Sequence, residues 1–210
     1  FEDKLHEEEI CDLLWGEFCR GVKMRLVSDV PLGVLLSGGI DSTSVLAALR
    51  YEGVDDVKTF SIGFEDPSFD ESRYFRRAAS FFETDHHEEI FAPHKLIDII
   101  PELASILDEP LADASIMPTY LLSRFTKGSV KVALGGAGGD ELFAGYPTYQ
   151  AYLLSRYYER FPRMIRALVE AVVTRLPVSF DNMSLDFRAK KFIDGIAYPP
   201  MERNYIWLGT

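Results

Sequence analysis

Gly33-Val34-Leu35-Leu36-Ser37-Gly38-Gly39-Ile40-Asp41-Ser42 is the stretch on which the reading of the fold turns. Its first half is a short apolar run bounded by turn signals, the pattern of a strand buried on both faces. Gly38-Gly39 makes a sharp turn, and Asp41-Ser42-Thr43 offers capping side chains for a helix running to about Arg50. A glycine loop between strand and helix lets backbone N–H groups face an anion, and the helix N-terminus adds partial positive charge. Ser37 and Ser42 add hydroxyl donors, and Asp41, which would repel a bare phosphate, suits a Mg²⁺ ligand. The stretch reads as a cradle for pyrophosphate and metal. Competing motifs fail here. A Walker loop needs a Lys after the glycines, a dinucleotide fingerprint needs a third glycine, and a nucleophile elbow needs Gly where Leu35 stands.

Outward from this stretch, strands and helices alternate. Upstream, Ile10, Leu14, Phe18, Val22 and Leu26, with Leu13 beside them, form an i, i+4 stripe that predicts an amphipathic helix over 6–27. Downstream, strands are expected at 57–63, 87–91 and 130–134. The helices between them carry Phe75, Ala78, Ala79 and Phe82, then run from Pro93 to about Leu107, then from Pro118 to Gly128. A second glycine loop, Gly135-Gly136-Ala137-Gly138-Gly139, follows the last strand and leads into Asp140-Glu141. Residues 149–176 are helical in pattern and the remainder is mixed. This order implies an α/β fold, a doubly wound parallel sheet with a helical C-terminal part. A strand order of 3-2-1-4 would set both glycine loops side by side at the switch point, where such sheets bind ligands. The expected organisation is a single domain over 1–210, with an N-terminal helix in 1–30, the α/β core in 31–148 and a helical extension in 149–210.

The 210 residues are 47% hydrophobic and 26% charged, globular proportions that exclude disordered and low-complexity classes. A net charge of −11 argues against general nucleic-acid binding and against anionic membranes, but leaves room for a local phosphate site. Cys11 and Cys19 fall on one helix, about 12 Å apart and beyond disulfide reach. Two unpaired thiols point to a reducing compartment, the cytoplasm. No apolar run approaches the ~20 residues of a membrane span, and Phe1-Glu2-Asp3-Lys4 lacks a signal-peptide layout. In Asp85-His86-His87-Glu88-Glu89, strand alternation sends the two histidines to opposite faces, so the run reads as structural rather than metal-binding. Trp15, Trp207 and the tyrosines of 146–158 read as packing residues, the tyrosines against the sheet. Arg73, Arg76 and Arg77 read as a solvated helix face, with an approach to phosphates as the alternative.

Ser37-Gly38-Gly39-Ile40-Asp41-Ser42 resembles the PP-loop of N-type ATP pyrophosphatases, shared by GMP, NAD, argininosuccinate and asparagine synthetases. Further blocks look like the asparagine synthetase family: Pro31-Leu32-Gly33-Val34-Leu35-Leu36, Thr59-Phe60-Ser61-Ile62-Gly63-Phe64, Asp70-Glu71-Ser72 and Asp108-Glu109-Pro110-Leu111-Ala112-Asp113. So do Pro118-Thr119-Tyr120-Leu121-Leu122-Ser123 and Gly138-Gly139-Asp140-Glu141-Leu142-Phe143-Ala144-Gly145-Tyr146. β-Lactam synthetase and related amidotransferases share these blocks. The resemblance implies a ligase that adenylates a carboxylate, aspartate or a relative, with pyrophosphate release, after which ammonia displaces AMP to give the amide. The implied cofactors are ATP and Mg²⁺. By position, Ser37, Gly38, Gly39, Asp41 and Ser42 would hold pyrophosphate and Mg²⁺, with Asp140 as the second metal carboxylate. Leu35, Ile62, Gly135 and Gly136 would line the adenosine pocket. Asp41, Asp140 and Glu141 form the implied catalytic set, Glu141 orienting its loop by hydrogen bonds to backbone, and 108–113 would lie near the acceptor pocket.

Three departures accompany the resemblance. Ala137 stands where the family carries an acidic residue able to take a proton from attacking ammonia. The chain begins at Phe1, without the glutaminase domain and its N-terminal Cys, so ammonia would come from a domain outside this chain. The family's synthetase domain also continues past the equivalent of Thr210, into a stretch bearing a Lys that assists adenylation, so the chain reads as a truncated synthetase domain. Ala137 and the truncation motivate an alternative, a nucleotide-binding module with impaired catalysis. Another PP-loop adenylating ligase or tRNA-modifying enzyme is disfavoured by the acidic charge and the lack of a C-x-x-C pair. Small-molecule substrates, no nucleic acid, no membrane and a homodimer complete the expectations.

Overall fold

The computed structural model describes residues 5–109, 111 and 113–208. The chain groups into two compact units, one of residues 5–103 and 117–137, the other of 104–109, 111, 113–116 and 138–208.

The first unit is built on four parallel strands, β1 (Leu32–Leu35), β2 (Lys58–Phe64), β3 (Asp85–Phe91) and β4 (Val132–Leu134), in the order β3-β2-β1-β4. This is the order expected from the sequence. Helices α1 (Glu7–Arg25), α2 (Ile40–Tyr51) and α3 (Ser72–Phe81) pack on one face, where Val34 and Leu36 meet Val45, Leu46, Leu49, Phe75 and Ala79. On the other face Phe60, fully buried, stacks on His87 at 5.2 Å and meets Phe125 of α6 (Ile116–Lys127) edge-on at 6.0 Å. Gly33 is needed beside that ring, because a Cβ there would lie 2.7 Å from Phe60 Cε2.

The two histidines of β3 do point to opposite faces. His86 takes a hydrogen bond with Thr59 Oγ1 through Nδ1 at 2.9 Å and lies by Phe75, whereas His87 stacks on Phe60. Among the described residues no group of three or more His, Cys, Asp or Glu is placed to hold a metal. Arg76 forks onto Glu88, which holds that carboxyl below its usual range. Cys19 is buried in the core and Cys11 is exposed. No helix among the described residues is long and apolar enough to cross a membrane.

Several expectations are corrected. The α1 stripe is buried only in its C-terminal half. Val22 lies in the core with Phe18 and Leu26 packed against it, while Ile10, Leu13 and Leu14 are exposed. The helix expected from Pro93 to Leu107 is two, α4 (Pro93–Asp98) and α5 (Ile100–Ile106). Pro101 has no N–H for the carbonyl four residues back and its ring clashes there, so the first helix ends.

In the second unit the helix expected over 149–176 likewise divides. After α7 (Gly139–Phe143) come α8 (Pro147–Tyr158) and α9 (Arg163–Val173), with Pro162 as the N-cap of α9. The mixed C-terminal stretch forms α10 (Leu185–Ile196), capped by Ser184, and α11 (Arg203–Leu208). Tyr158 packs edge-on against Phe192, and Trp207 stacks on the same ring at 6.1 Å. Arg203, 3% exposed, ties α8 to α11 through Ser155 Oγ, Glu159 and the Tyr198 carbonyl.

Phe60→Ala is expected to cost about 3–5 kcal/mol of stability, because it empties a buried site between the His87 and Phe125 rings. Ile40→Ala, at a position 82% exposed, should cost less than about 0.5 kcal/mol. Urea unfolding of the two variants measures the contrast.

Candidate active site

β1 ends at Leu35 between β2 and β4, so the chain leaves the sheet where strands flank it on both sides. Leu36 remains tied to β2, its N–H donating to Phe60 O at 2.9 Å and its carbonyl accepting from Ser61 Oγ. The turn that follows is organised by two hydroxyls. Ser42, 5% exposed, accepts the Ser37 N–H at 3.2 Å and donates to Gly39 O at 3.3 Å. Ser37 Oγ lies 3.0 Å from Ser42 Oγ and accepts the Gly39 N–H at 3.2 Å. Both hydroxyls thus shape the loop, beyond their expected role as donors to a ligand.

Gly38 has φ +80°, and a Cβ there would lie 2.4 Å from Phe75 N and from the Tyr74 carbonyl carbon. The loop therefore rests on the first turn of α3 with no space for a methyl. That turn is held by Asp70, which accepts Ser72 N–H at 3.1 Å and Ser72 Oγ–H at 2.7 Å. Gly136 makes a second close approach, since its Cβ would meet Ser42 N at 2.7 Å and Asp41 Cβ at 2.8 Å. Gly135 faces open space.

α2 begins differently from the expectation. Its N-cap is Gly39 and no side chain caps it. Asp41 and Ser42 lie inside the first turn instead, because the glycine turn hands over to helix at Ile40. The first-turn N–H groups of an uncapped helix lack intrahelical partners and are open to an anion. Thr43 Oγ1, also in that turn, is buried without a partner.

The structure thus brings Ser37, Gly38, Gly39, Asp41, Ser42 and Gly136 together, with Leu35 and Ile62 half-buried in the adjoining strands. Asp140 and Glu141 belong to the second unit. There Ala144 has φ 55°, and the chain turns back so that Gly145 N–H donates to Asp140 O at 3.0 Å. A Cβ on Gly145 would fall 2.0 Å from Asp140 Oδ1. Glu141 accepts the Tyr146 hydroxyl proton at 2.6 Å. Its main fixed partner is therefore a side chain rather than the expected backbone, because the turn returns Tyr146 to it. This bond holds the Glu141 carboxyl below its usual range and pushes the Tyr146 phenol up to about 12. The sequence reads Tyr146 as a packing residue; its hydroxyl is instead fixed on Glu141.

In the 108–113 block, Asp113 accepts Ser115 N–H at 2.8 Å, which keeps its carboxyl low. Pro110 and Ala112 of that block lie outside the described residues. Arg76 is engaged by Glu88, while Arg73 and Arg77 are exposed.

The cradle fits a nucleotide's phosphates and a divalent cation. Two glycines admit backbone where a Cβ would clash, an uncapped helix start supplies N–H groups, and Asp41 supplies a hard oxygen. Mg²⁺ is commonly held by one or two carboxylates together with substrate phosphates, so a full protein cage is not required.

Residues 16–203 match the profile of the asparagine synthase family. A putative glutamine-hydrolysing asparagine synthetase 2 from Methanocaldococcus jannaschii is 39% identical over 76% of this chain and 30% of its own length. Asparagine synthetase 1 from Bacillus subtilis, also named as glutamine-hydrolysing, is 33% identical over 88% of this chain and 28% of its own. The chain spans under a third of the length of these relatives. An ammonia-dependent NAD synthetase from Campylobacter jejuni overlays 90% of this chain and 97% of its own at TM-score 0.45 and 13% identity, a likeness too loose to carry weight.

Gly38→Ala is expected to destabilise the chain by about 1–3 kcal/mol, since the new methyl meets rigid backbone; thermal unfolding measures it. The Tyr146–Glu141 bond favours the neutral phenol, so its contribution is full below the ordinary tyrosine pKa of about 10. It is lost as pH rises through about 12. In an ultraviolet titration Glu141→Gln should move one tyrosine's ionisation down towards pH 10, and Tyr146→Phe should remove that step.

Proposed function

Since the chain belongs to the asparagine synthase family, we propose that it binds MgATP on the Ser37–Ser42 loop and serves AMP-forming amide synthesis. A carboxylate oxygen of the acceptor attacks the α-phosphorus, the bond to the bridging oxygen breaks, and pyrophosphate leaves. Ammonia then attacks the acyl carbon, AMP leaves with the electron pair of the acyl–oxygen bond, and a proton is lost from nitrogen. Adenylation is the chemically required step, because carboxylate oxygen is a poor leaving group and AMP a good one. Aspartate is the proposed acceptor and asparagine the product, after the names of the relatives. Ammonia is taken to come from glutamine hydrolysis, which those names also state.

The observation that carries this reading is the uncapped start of α2 behind a loop whose glycines sit against backbone on two sides. Such a site meets charge on the pyrophosphate with fixed N–H dipoles that need no reorganisation as charge builds. Asp41 would hold Mg²⁺, which would supply electrostatic neutralisation of the departing pyrophosphate, and the family resemblance is what assigns Asp140 as a further carboxylate for the metal. Ser37 and Ser42 keep the loop in shape, and Leu35, Ile62, Gly135 and Gly136 would border the adenosine. Tyr146 and Glu141 would steady the turn that bears Asp140.

A second reading follows from Ala137, exposed at the end of the Gly135-Gly136 loop, whose methyl accepts no proton. A chain that adenylates but forms amide poorly would be the result.

Calorimetric titration with ATP tests the proposal. Binding is expected only with Mg²⁺ present and should weaken at least about tenfold in Asp41→Asn, the order of a lost charge-assisted contact. A folded chain that binds no MgATP overturns it. If binding and pyrophosphate release are intact but amide formation is slow, Ala137→Glu is expected to raise the rate of amide formation alone.

A further inference from the structure

The second unit holds a cleft of about 250 Å³ between α9, α10 and the end of α8. Its walls are uneven in character. Ile193 and Ile196 of α10 give an apolar side, and Arg163, Arg166 and Glu170 line the side formed by α9. The three charged residues are spaced i, i+3 and i+7, so the helix repeat sets them on one face.

Arg166 is the anomaly. Its Nε is buried and has no hydrogen-bond partner. Among the described residues no carboxylate forms an ion pair with Arg163 or Arg166. Glu170 is one turn from Arg166, yet the two stay unpaired, and an Arg placed N-terminal to a Glu is the weaker order for such a pair. Tyr158 does not complete the set, because its hydroxyl donates to the Arg166 carbonyl at 3.1 Å. Burial and the Glu170 charge push that phenol up, with Arg166 opposing. A buried guanidinium nitrogen without a partner is costly and calls for one.

We propose that this cleft binds a neutral α-amino acid, with its carboxylate on Arg166 and Arg163, its ammonium on Glu170 and its side chain over Ile193 and Ile196. The charges select the class. Two cations and one anion complement a zwitterion, a fork of guanidinium donors suits a carboxylate, and a second carboxylate on the ligand would meet Glu170. The volume suits a ligand of this size and falls below the range for drug-sized molecules. The residues that line it all belong to the second unit, whereas the Ser37–Ser42 cradle belongs to the first. If the chain makes asparagine as proposed above, the product belongs to the class this cleft takes.

Calorimetry of the full chain with L-asparagine, L-leucine and isovalerate tests the inference. At least one of the two amino acids is expected to bind, and isovalerate, which lacks the ammonium, about tenfold or more weakly than that ligand. Arg166→Gln should weaken amino-acid binding about tenfold or more, Glu170→Gln should remove the preference over isovalerate, and Asp41→Asn should change neither. Circular dichroism checks that each variant is folded. Absence of amino-acid binding by the folded chain overturns the inference, as does binding that survives Arg166→Gln or disappears in Asp41→Asn. Failure of MgATP to bind leaves these outcomes unchanged, so the two proposals stand or fall separately.

Discussion

Everything at the candidate site depends on one steric contact, the backbone of Gly38 against the backbone of Tyr74 and Phe75. A methyl at Gly38 would sit 2.4 Å from Phe75 N. The loop after β1 therefore cannot move towards α3, and α3 cannot move towards the loop. Phe75 is itself fully buried and fixed in the core with Val34 and Leu36. The contact passes the rigidity of that core directly into a loop that is otherwise exposed. Asp70 supports the same contact by holding Ser72 at the start of α3.

The serine pair does from within what α3 does from outside. Ser42 is buried and binds both Ser37 N–H and the Gly39 carbonyl, so the loop closes on its own helix. The N-cap of α2 is Gly39, and no side chain caps the first turn. A side-chain oxygen at the N-cap would occupy the N–H groups that an anion would use. The serine pair uses the Ser37 and Gly39 N–H groups to hold the loop and leaves the first-turn N–H groups of α2 without a capping side chain.

Much of this was legible in the sequence. Three of the four strands are legible as short runs with apolar residues between helical stretches, β3 only by Ile90 and Phe91 after its charged start, and the glycine loop by its place between β1 and α2. Less legible were features set by tertiary context. Apolar periodicity continues across Pro101 and Pro162, so each helix pair reads as one although the proline chemistry predicts a break. Ile10 and Leu14 repeat with the correct spacing, yet are left exposed, because periodicity shows which face is apolar and not how much of it is covered. α10 and α11 are masked by the charges of Asp186, Lys190 and Arg203, which are satisfied by Ser184, the Leu176 carbonyl and Ser155 respectively. The bond between Tyr146 and Glu141 depends on the left-handed Ala144, a conformation for which alanine gives no signal.

The chain's acidity bears on how such a site can work. A net charge of −11 sets a repulsive background for a polyanion such as ATP. Asp41, inside the first turn of α2, adds to it locally, and Arg76 is spent on Glu88. In the proposed MgATP complex, attraction would come from short-range N–H dipoles and from a divalent cation, for which Asp41 would be a ligand rather than an obstacle. Dipoles act over about one helical turn and reward only a phosphate seated in the cradle, whereas a surface of lysines would attract any polyanion. The acidic surface is in that sense part of the selectivity. In the proposed reading it disfavours RNA, whose many charges would meet the acidic surface, and nucleotide binding would then depend on the metal.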